Sequence, residues 1–359
     1  MDSQFPKSFR AAAVQASPVH LKPDATVDKL ESLVAEAARG GAQLVVFSES
    51  FIPAFPVWNL VLPPVDQHDL FRRLFLNSVL VPGPITRRLA EIAKRHDVYL
   101  SVGVTERTNI SMGCLYNTNL LFAPTGELLN HRRKLVPTWA EKLTHAWGDA
   151  SDLRPVQTEL GNIGVLICGE NTNPLARYTL LAQGEQIHIA TYPPAWPFRR
   201  TGGRQTYNLR KAIEIRSAAH AFEGKVFNIV SSGLLDEGII KDIIAIAPDL
   251  EPTLREAPAP ASMILGPTGE PLVEPLVGDE GIIYADIDVT ESIEVKQAHD
   301  IVGYYQRFDV FQLTVDQRPQ LPINLIRGPE TSYDSRMGAE TVETAVEEDR
   351  ASSESTTIR

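Results

Sequence analysis

The chain has 359 residues, with 34 Lys plus Arg against 45 Asp plus Glu, so its formal charge is −11. That acidic balance argues against a protein built to grip nucleic acid or an anionic membrane, because both reward a basic face. A 43% hydrophobic and 22% charged composition suits a sizeable buried core, and two cysteines exclude a disulfide scaffold.

Met1 to Arg10 lacks the apolar stretch of a secretory signal, and no run of about 18 apolar residues follows. The expectation is a soluble cytoplasmic protein with reduced thiols. Phe9–Gln15 is short and apolar and reads as a strand. Val27–Ala38 places Leu30, Leu33, Val34 and Ala37 at helical spacing, and Gly40-Gly41 ends it. Ala42–Phe47 is a β-branched strand, so this unit reads as β-α-β. Leu120–Leu129 and Met263–Val273 each put Pro-Thr-Gly-Glu between apolar runs, which predicts two hairpins.

The middle of the chain repeats the first unit. Leu160–Cys168 is strand-like, Pro174–Gln183 helix-like, and Gln186–Ala190 is the next strand. Arg204–Phe222 reads as a further helix. Two β-α-β units and two hairpins predict one α/β domain with an approximate internal duplication, its two mixed sheets packed face to face with helices outside. Asp249–Ala261 is Pro-rich and reads as a surface loop. Ser332–Arg359 carries seven acids, three bases and almost no large apolar residue, so it is expected to be a disordered acidic tail after a domain of residues 1–331.

Metal and nucleotide sites have no support: there is no H-E-x-x-H, no Cys/His cluster at zinc spacing, no Walker loop and no G-x-G-x-x-G. Three reactive residues each end a strand-like run. Glu49 follows LVVF, Lys134 follows the first hairpin, and Cys168 ends GVLIC. Strand ends in α/β folds are where side chains converge, and a carboxylate, an ammonium and a thiol suit attack on an electrophilic carbon. Each also has a plainer reading. A cysteine closing an apolar strand is usually a packing residue. Glu49 alone resembles a cap or loop residue, and Lys134 beside Arg132 and Arg133 resembles a solvated basic cluster.

Four stretches in order sharpen this reading: Gly41–Pro56 (GAQLVVFSESFIPAFP), His131–Glu141 (HRRKLVPTWAE), Gly164–Arg177 (GVLICGENTNPLAR) and Gly303–Val315 (GYYQRFDVFQLTV). Together they resemble the nitrilase superfamily of carbon–nitrogen hydrolases, most closely its true nitrilase branch, over roughly Phe9 to Pro322. The resemblance implies a four-layer αββα sandwich and a Glu-Lys-Cys triad. It implies Glu49 as general base, Lys134 as transition-state stabiliser, Cys168 as nucleophile and Glu141 as the second glutamate that holds the lysine. It also implies a homo-oligomer, a dimer or a larger, spiral assembly. The branch usually has tryptophan after the cysteine; here Gly169 stands there, which predicts extra volume beside the nucleophile. Tyr304 and Phe308 replace its usual histidine and proline.

The implied reaction turns a small-molecule nitrile and water into a carboxylic acid and ammonia, through a thioimidate and a thioester. It needs no metal or organic cofactor. Gly169 offers a backbone N–H to the developing charge. Trp58, Tyr192 and Trp196, with Phe51 and Phe55, are candidate walls of an apolar cleft. The alternatives are an amidase using the same triad and, more remotely, a non-catalytic binding protein on the same fold.

Overall fold

The computed structural model describes residues 8–196, 207–321 and 323. Ser332–Arg359 lies outside them, as do Arg204–Thr206 at the start of one expected helix. The chain divides after Pro319, and the fold below is that of the first unit.

The strands are β1 (Phe9–Gln15), β2 (Ala42–Val46), β3 (Val79–Leu80), β4 (Tyr99–Arg107), β5 (Leu115–Phe122), β6 (Leu128–Arg133), β7 (Val156–Thr158), β8 (Gly161–Ile167), β9 (Ile187–Tyr192), β10 (Phe227–Ser232), β11 (Ala261–Leu265), β12 (Leu276–Val277) and β13 (Gly281–Ile287). The helices are α1 (Pro23–Arg39), α2 (His68–Asn77), α3 (Pro84–His96), α4 (Pro174–Ala182), α5 (Leu209–Gly224), α6 (Glu237–Ile246), α7 (Glu251–Arg255) and α8 (Ser292–Ala298). One sheet runs β13-β1-β2-β4-β5-β6, with β3 beside β4; the other runs β7-β8-β9-β10-β11-β12.

Along either order the pairings read antiparallel, parallel, parallel, antiparallel, antiparallel. The internal duplication expected from the repeated β-α-β pattern is therefore a property of the fold. Side chains of β1 alternate between layers, as a period of two requires. Phe9, Ala11 and Ala13 face the second sheet, where they meet a core containing Ile163, Val165, Ile187, Ile189, Phe227 and Ile229. Ala12 and Val14 face the other way, toward Val27, Leu30 and Val34 of α1 and Leu89 and Ile92 of α3. Truncating a fully buried residue of that stripe such as Leu30 to alanine costs about 3 kcal/mol. The far side of the second sheet is covered by α5 and α6, through Leu209, Ile213, Ile239, Ile240 and Ile243. The result is the expected αββα order of layers.

Three local expectations shift. The helix expected at Arg204–Phe222 is described from Leu209, where Asn208 caps it by accepting the Lys211 N–H at 2.9 Å. Asp249–Ala261 is not all loop: α7 starts there, and Pro252 is tolerated in its first turn. The second hairpin is short. Its return arm makes an isolated bridge, Leu265 to Pro271, and the Leu272 N–H donates to Ile264 O at 2.8 Å. Among the described residues no helix is long and apolar enough to cross a membrane.

Candidate active site

Each reactive residue sits just past a strand on a backbone the neighbouring strands hold. Glu49 lies on the turn after β2, and that turn packs directly on β4. A Cβ at Gly103 would lie 2.3 Å from Ser48 O and 2.5 Å from Glu49 Cα, so only glycine lets the turn seat there. The Ile52 N–H then donates to Gly103 O at 3.2 Å. Lys134 follows β6 and donates its N–H to Asn117 O of β5 at 2.8 Å. Cys168 opens a 3-10 turn, Cys168–Thr172, directly after β8, with φ at +49°. A non-glycine residue in that left-handed region stores strain and needs its surroundings to hold it.

The four groups converge. Lys134 Nζ donates to both oxygens of Glu141, at 3.0 and 2.7 Å, and lies 3.7 Å from Glu49 Oε2. Carboxylate oxygens of Glu49 and Glu141 and the sulfur of Cys168 all lie within 4.8 Å of one another. All four side chains are buried. The same three groups have the chemistry of metal ligands, but the cation among them is the ammonium, which a divalent ion would have to displace. Glu141 is fixed in turn by accepting the Thr138 N–H at 2.8 Å.

Burial and mutual charge set the proton positions. Burial pushes the Glu49 carboxyl up; Lys134 pulls it down and Glu141 adds to the rise, leaving it at about 8. Burial alone would lower the Lys134 ammonium, but Glu141 and Glu49 outweigh it and hold it above the ordinary lysine range. The Cys168 thiol is raised by burial and by Glu49, against the pull of Lys134. The resting site is thus a neutral thiol beside a fixed ammonium, with a carboxyl poised to exchange a proton near neutrality.

The basic run His131–Lys134 is not a solvated cluster. Strand alternation splits it. His131 and Arg133 turn to Glu106 of β4, with His131 Nε2 at 2.8 Å and Arg133 Nε at 3.0 Å. Arg132 is buried and donates to Glu170 Oε1 at 2.7 Å. That same oxygen accepts the Leu135 N–H at 2.6 Å, while Oε2 accepts the Ile167 N–H at 2.9 Å. One carboxylate therefore ties the lysine's segment to the cysteine's turn. Sequence reading missed Glu170. Its position two residues after Cys168 was visible, but not the strand pairing that brings Arg132 to it.

The proposed walls fall into two groups. Phe55, Trp58, Tyr192 and Trp196 share one apolar cluster with Cys168. Trp196 tilts against Phe55 with ring centroids 6.4 Å apart. Phe51 does not join them. It packs on Phe47 at 5.2 Å, in the apolar cluster on the helix side of the first sheet, although it lines a small cavity with Glu49 and Phe55. Around these groups lie further buried polar side chains: Asn117, His145, Trp58 and Tyr192. Asn117 and His145 were not singled out in the sequence, which carries no periodic signal for either. His145 is held neutral, its pKa lowered to about 3 by burial and then by Lys134.

Gly169 does not open the volume expected of it. A Cβ there would lie 2.5 Å from Thr138 Oγ1, so Thr138 fills the direction in which a larger residue would leave the backbone. Tyr304 and Phe308, the other departures from the branch, are exposed.

Comparisons with known proteins bear on the family and the fold. The family model for carbon–nitrogen hydrolase matches residues 10–297. A nitrilase from Paraburkholderia phymatum is 37% identical over 315 residues, 88% of either chain. An aliphatic nitrilase from Rhodococcus rhodochrous is 33% identical over 329 residues, covering 89% of this chain and 86% of its own. The crystal structure of a carbon–nitrogen hydrolase from Helicobacter pylori G27 superposes with a TM-score of 0.66 at 20% identity, over 84% of this chain and 97% of that one, which speaks for the fold. A buried Glu-Lys-Cys constellation, the duplicated sandwich and these matches together identify the chain as a member of the carbon–nitrogen hydrolase family.

Proposed function

We propose that this enzyme is a nitrilase, converting an organic nitrile and water to the carboxylic acid and ammonia. The observation that carries the reading is the convergence of Glu49, Glu141 and Cys168 within 4.8 Å around the buried Lys134 ammonium.

Cys168 is the nucleophile. As its sulfur forms a bond to the nitrile carbon, Glu49 takes the thiol proton, and the electron pair moved onto nitrogen is met by Lys134 and the Gly169 N–H. Glu49 passes that proton to the nitrogen, and the product is a thioimidate. Water adds to its carbon as Glu49 takes a water proton and hands it to the nitrogen; the hydroxyl proton follows as the carbonyl forms, ammonia leaves, and a thioester remains. A second water, again deprotonated by Glu49, displaces the sulfur, which takes the proton back from Glu49 as the acid is released. Glu141 keeps the lysine charged and aimed, leaving Glu49 for proton transfer. Trp58, Tyr192 and Trp196 form the apolar wall beside Cys168. The protein supplies nucleophile, base and positive charge itself, so no cofactor enters the scheme.

We further propose that residues 1–331 form the hydrolase domain, ahead of the acidic tail, that the protein works in the cytoplasm, and that it is a homo-oligomer. The exposed run Tyr304, Tyr305, Phe308, Val310 and Phe311 supports a contact between copies. The deciding experiment offers a nitrile and its matching amide separately and measures acid and ammonia. Acid and ammonia in equal amounts from the nitrile support the reading. Turnover of the amide with an inert nitrile replaces it by an amidase.

A further inference from the structure

Behind the nucleophile's turn lies a second buried polar cluster that the mechanism above leaves unused. Glu185 precedes β9, His188 lies within it and His220 lies on α5. All three are buried. The Glu185 carboxylate spans the two rings, 2.7 Å from His188 Nδ1 and 2.8 Å from His220 Nε2. The other nitrogen of His188 is 2.9 Å from Asn171 Oδ1. Asn171 Nδ2 donates to the carbonyls of Leu166 at 3.2 Å and Cys168 at 3.1 Å. Gly164 makes room for this: a Cβ there would lie 1.9 Å from Glu185 Oε1.

Counting donors assigns the protons. The Asn171 amide nitrogen faces two carbonyls, which only accept, so Oδ1 is the atom turned to His188 and His188 Nε2 carries a hydrogen. Glu185 faces the other ring nitrogen and fixes the orientation of the ring. Burial opposes ionisation of Glu185, but the two histidines outweigh it and lower its pKa to about 2. The His188 ring thus ends on the Asn171 amide, and that amide ends on the Cys168 carbonyl.

That carbonyl belongs to the same peptide as the Gly169 N–H. In a trans peptide the two point in opposite directions, so holding the oxygen toward Asn171 aims the N–H away from it. Cys168 sits at φ +49°, where local preference alone does not keep the peptide in place. A chain of hydrogen bonds also polarises each member, strengthening the donor at its far end.

We propose that Asn171, His188, Glu185 and His220 are positioning residues, a buried relay that fixes and polarises the Cys168–Gly169 peptide so that its N–H meets the charge developing on the substrate. The inference rests on Cys168 being the nucleophile and deepens the reading of that same site.

Phenylacetaldehyde and iodoacetamide separate the roles. With the aldehyde, the sulfur bonds to the carbonyl carbon, the thiol proton passes to Glu49 and the oxygen takes the electron pair as an oxyanion. Aldehyde inhibition therefore reports the N–H donor. Iodoacetamide displaces iodide without forming an oxyanion and reports the thiol alone. In Asn171→Ala, aldehyde affinity and kcat fall about 10- to 100-fold while KM and the rate of Cys168 alkylation stay within about 2-fold. His188→Gln, which keeps an N–H donor toward Asn171 but loses the ring that joins it to Glu185, falls between it and the wild type, and it carries the same comparison if thermal unfolding shows that Asn171→Ala does not fold. Unchanged aldehyde affinity, or alkylation falling in step with it, overturns the relay. A wild-type protein that takes no label at Cys168 and hydrolyses neither nitrile nor amide overturns the catalytic reading and the relay together.

Discussion

Replacing Glu141 by glutamine should move the pH dependence of the site in a direction the geometry fixes. Two carboxyls share one ammonium: Glu141 contacts Lys134 Nζ at 2.7 and 3.0 Å, and Glu49 stands off at 3.7 Å. With Glu141 as the counter-ion, Glu49 titrates at about 8. The two carboxylates approach within 4.8 Å. At that separation like charges repel by roughly 3.5 kcal/mol at an effective dielectric constant near 20, the equivalent of about 2.5 pH units. In Glu141→Gln this repulsion is gone and Glu49 becomes the carboxylate facing the ammonium. Its titration then falls by about 1 to 2.5 units, since burial still opposes ionisation. Attack by sulfur requires ionised Glu49, so the wild-type rate rises with pH through about 8. The variant reaches its plateau at lower pH, and the plateau is lower because Lys134 has lost its bidentate anchor. The assay follows Cys168 alkylation by iodoacetamide and kcat/KM for a nitrile across the same pH range, with Cys114 as an internal reference. A limb that stays near its wild-type position in Glu141→Gln refutes the argument.

Other outcomes follow from the same geometry. Cys168→Ala lowers turnover by more than about 10⁴-fold, the scale of a removed nucleophile, with circular dichroism and thermal unfolding unchanged. Glu49→Gln abolishes turnover but stabilises the fold at alkaline pH. A carboxyl raised from 4.5 to about 8 by folding costs nothing below 4.5, and progressively more as pH rises toward 8. Urea midpoints of variant and wild type should therefore coincide at pH 4 and separate at pH 8; parallel midpoints would count against the raised pKa. Gly169→Ala pushes on Thr138 Oγ1 and through Thr138 on Glu141, lowering kcat/KM by about 10-fold or more. Adding Thr138→Ala should restore part of that loss, and no restoration would mean the clash is not the cause.

Much of the fold was legible because hydrophobic period is a local property. Leu30, Val34 and Ala37 mark the buried stripe of α1 at helical spacing, and the β-branched run at 42–46 marks a buried strand. Repetition of β-α-β over Leu160–Ala190 anticipated the second sheet. The candidate residues Glu49, Lys134 and Cys168 were legible through stretches that resembled a known family. What escaped was partnership. Nothing in HRRK says that Arg132 is buried on Glu170 while Arg133 turns to Glu106; the split follows from strand alternation and the neighbour each face meets. Phe51 and Phe55 line one small cavity with Glu49, yet only Phe55 shares the apolar cluster of Cys168. Gly169 suggested space until Thr138, thirty-one positions earlier, was seen to occupy it.

The amino-acid order by itself determined the first strand-helix-strand unit and its repeat, that two similar halves exist, and which sulfur, ammonium and carboxylates are available for chemistry. These are matters of neighbours along the chain, where steric preference and apolar spacing act. Only the tertiary structure decided that Glu49, Lys134, Glu141 and Cys168 share one buried point, and that Asn171, His188, Glu185 and His220 line up behind it. Such meetings depend on strand order, register and the packing of one sheet on another. Those are settled by burial across the whole domain, which no local stretch encodes.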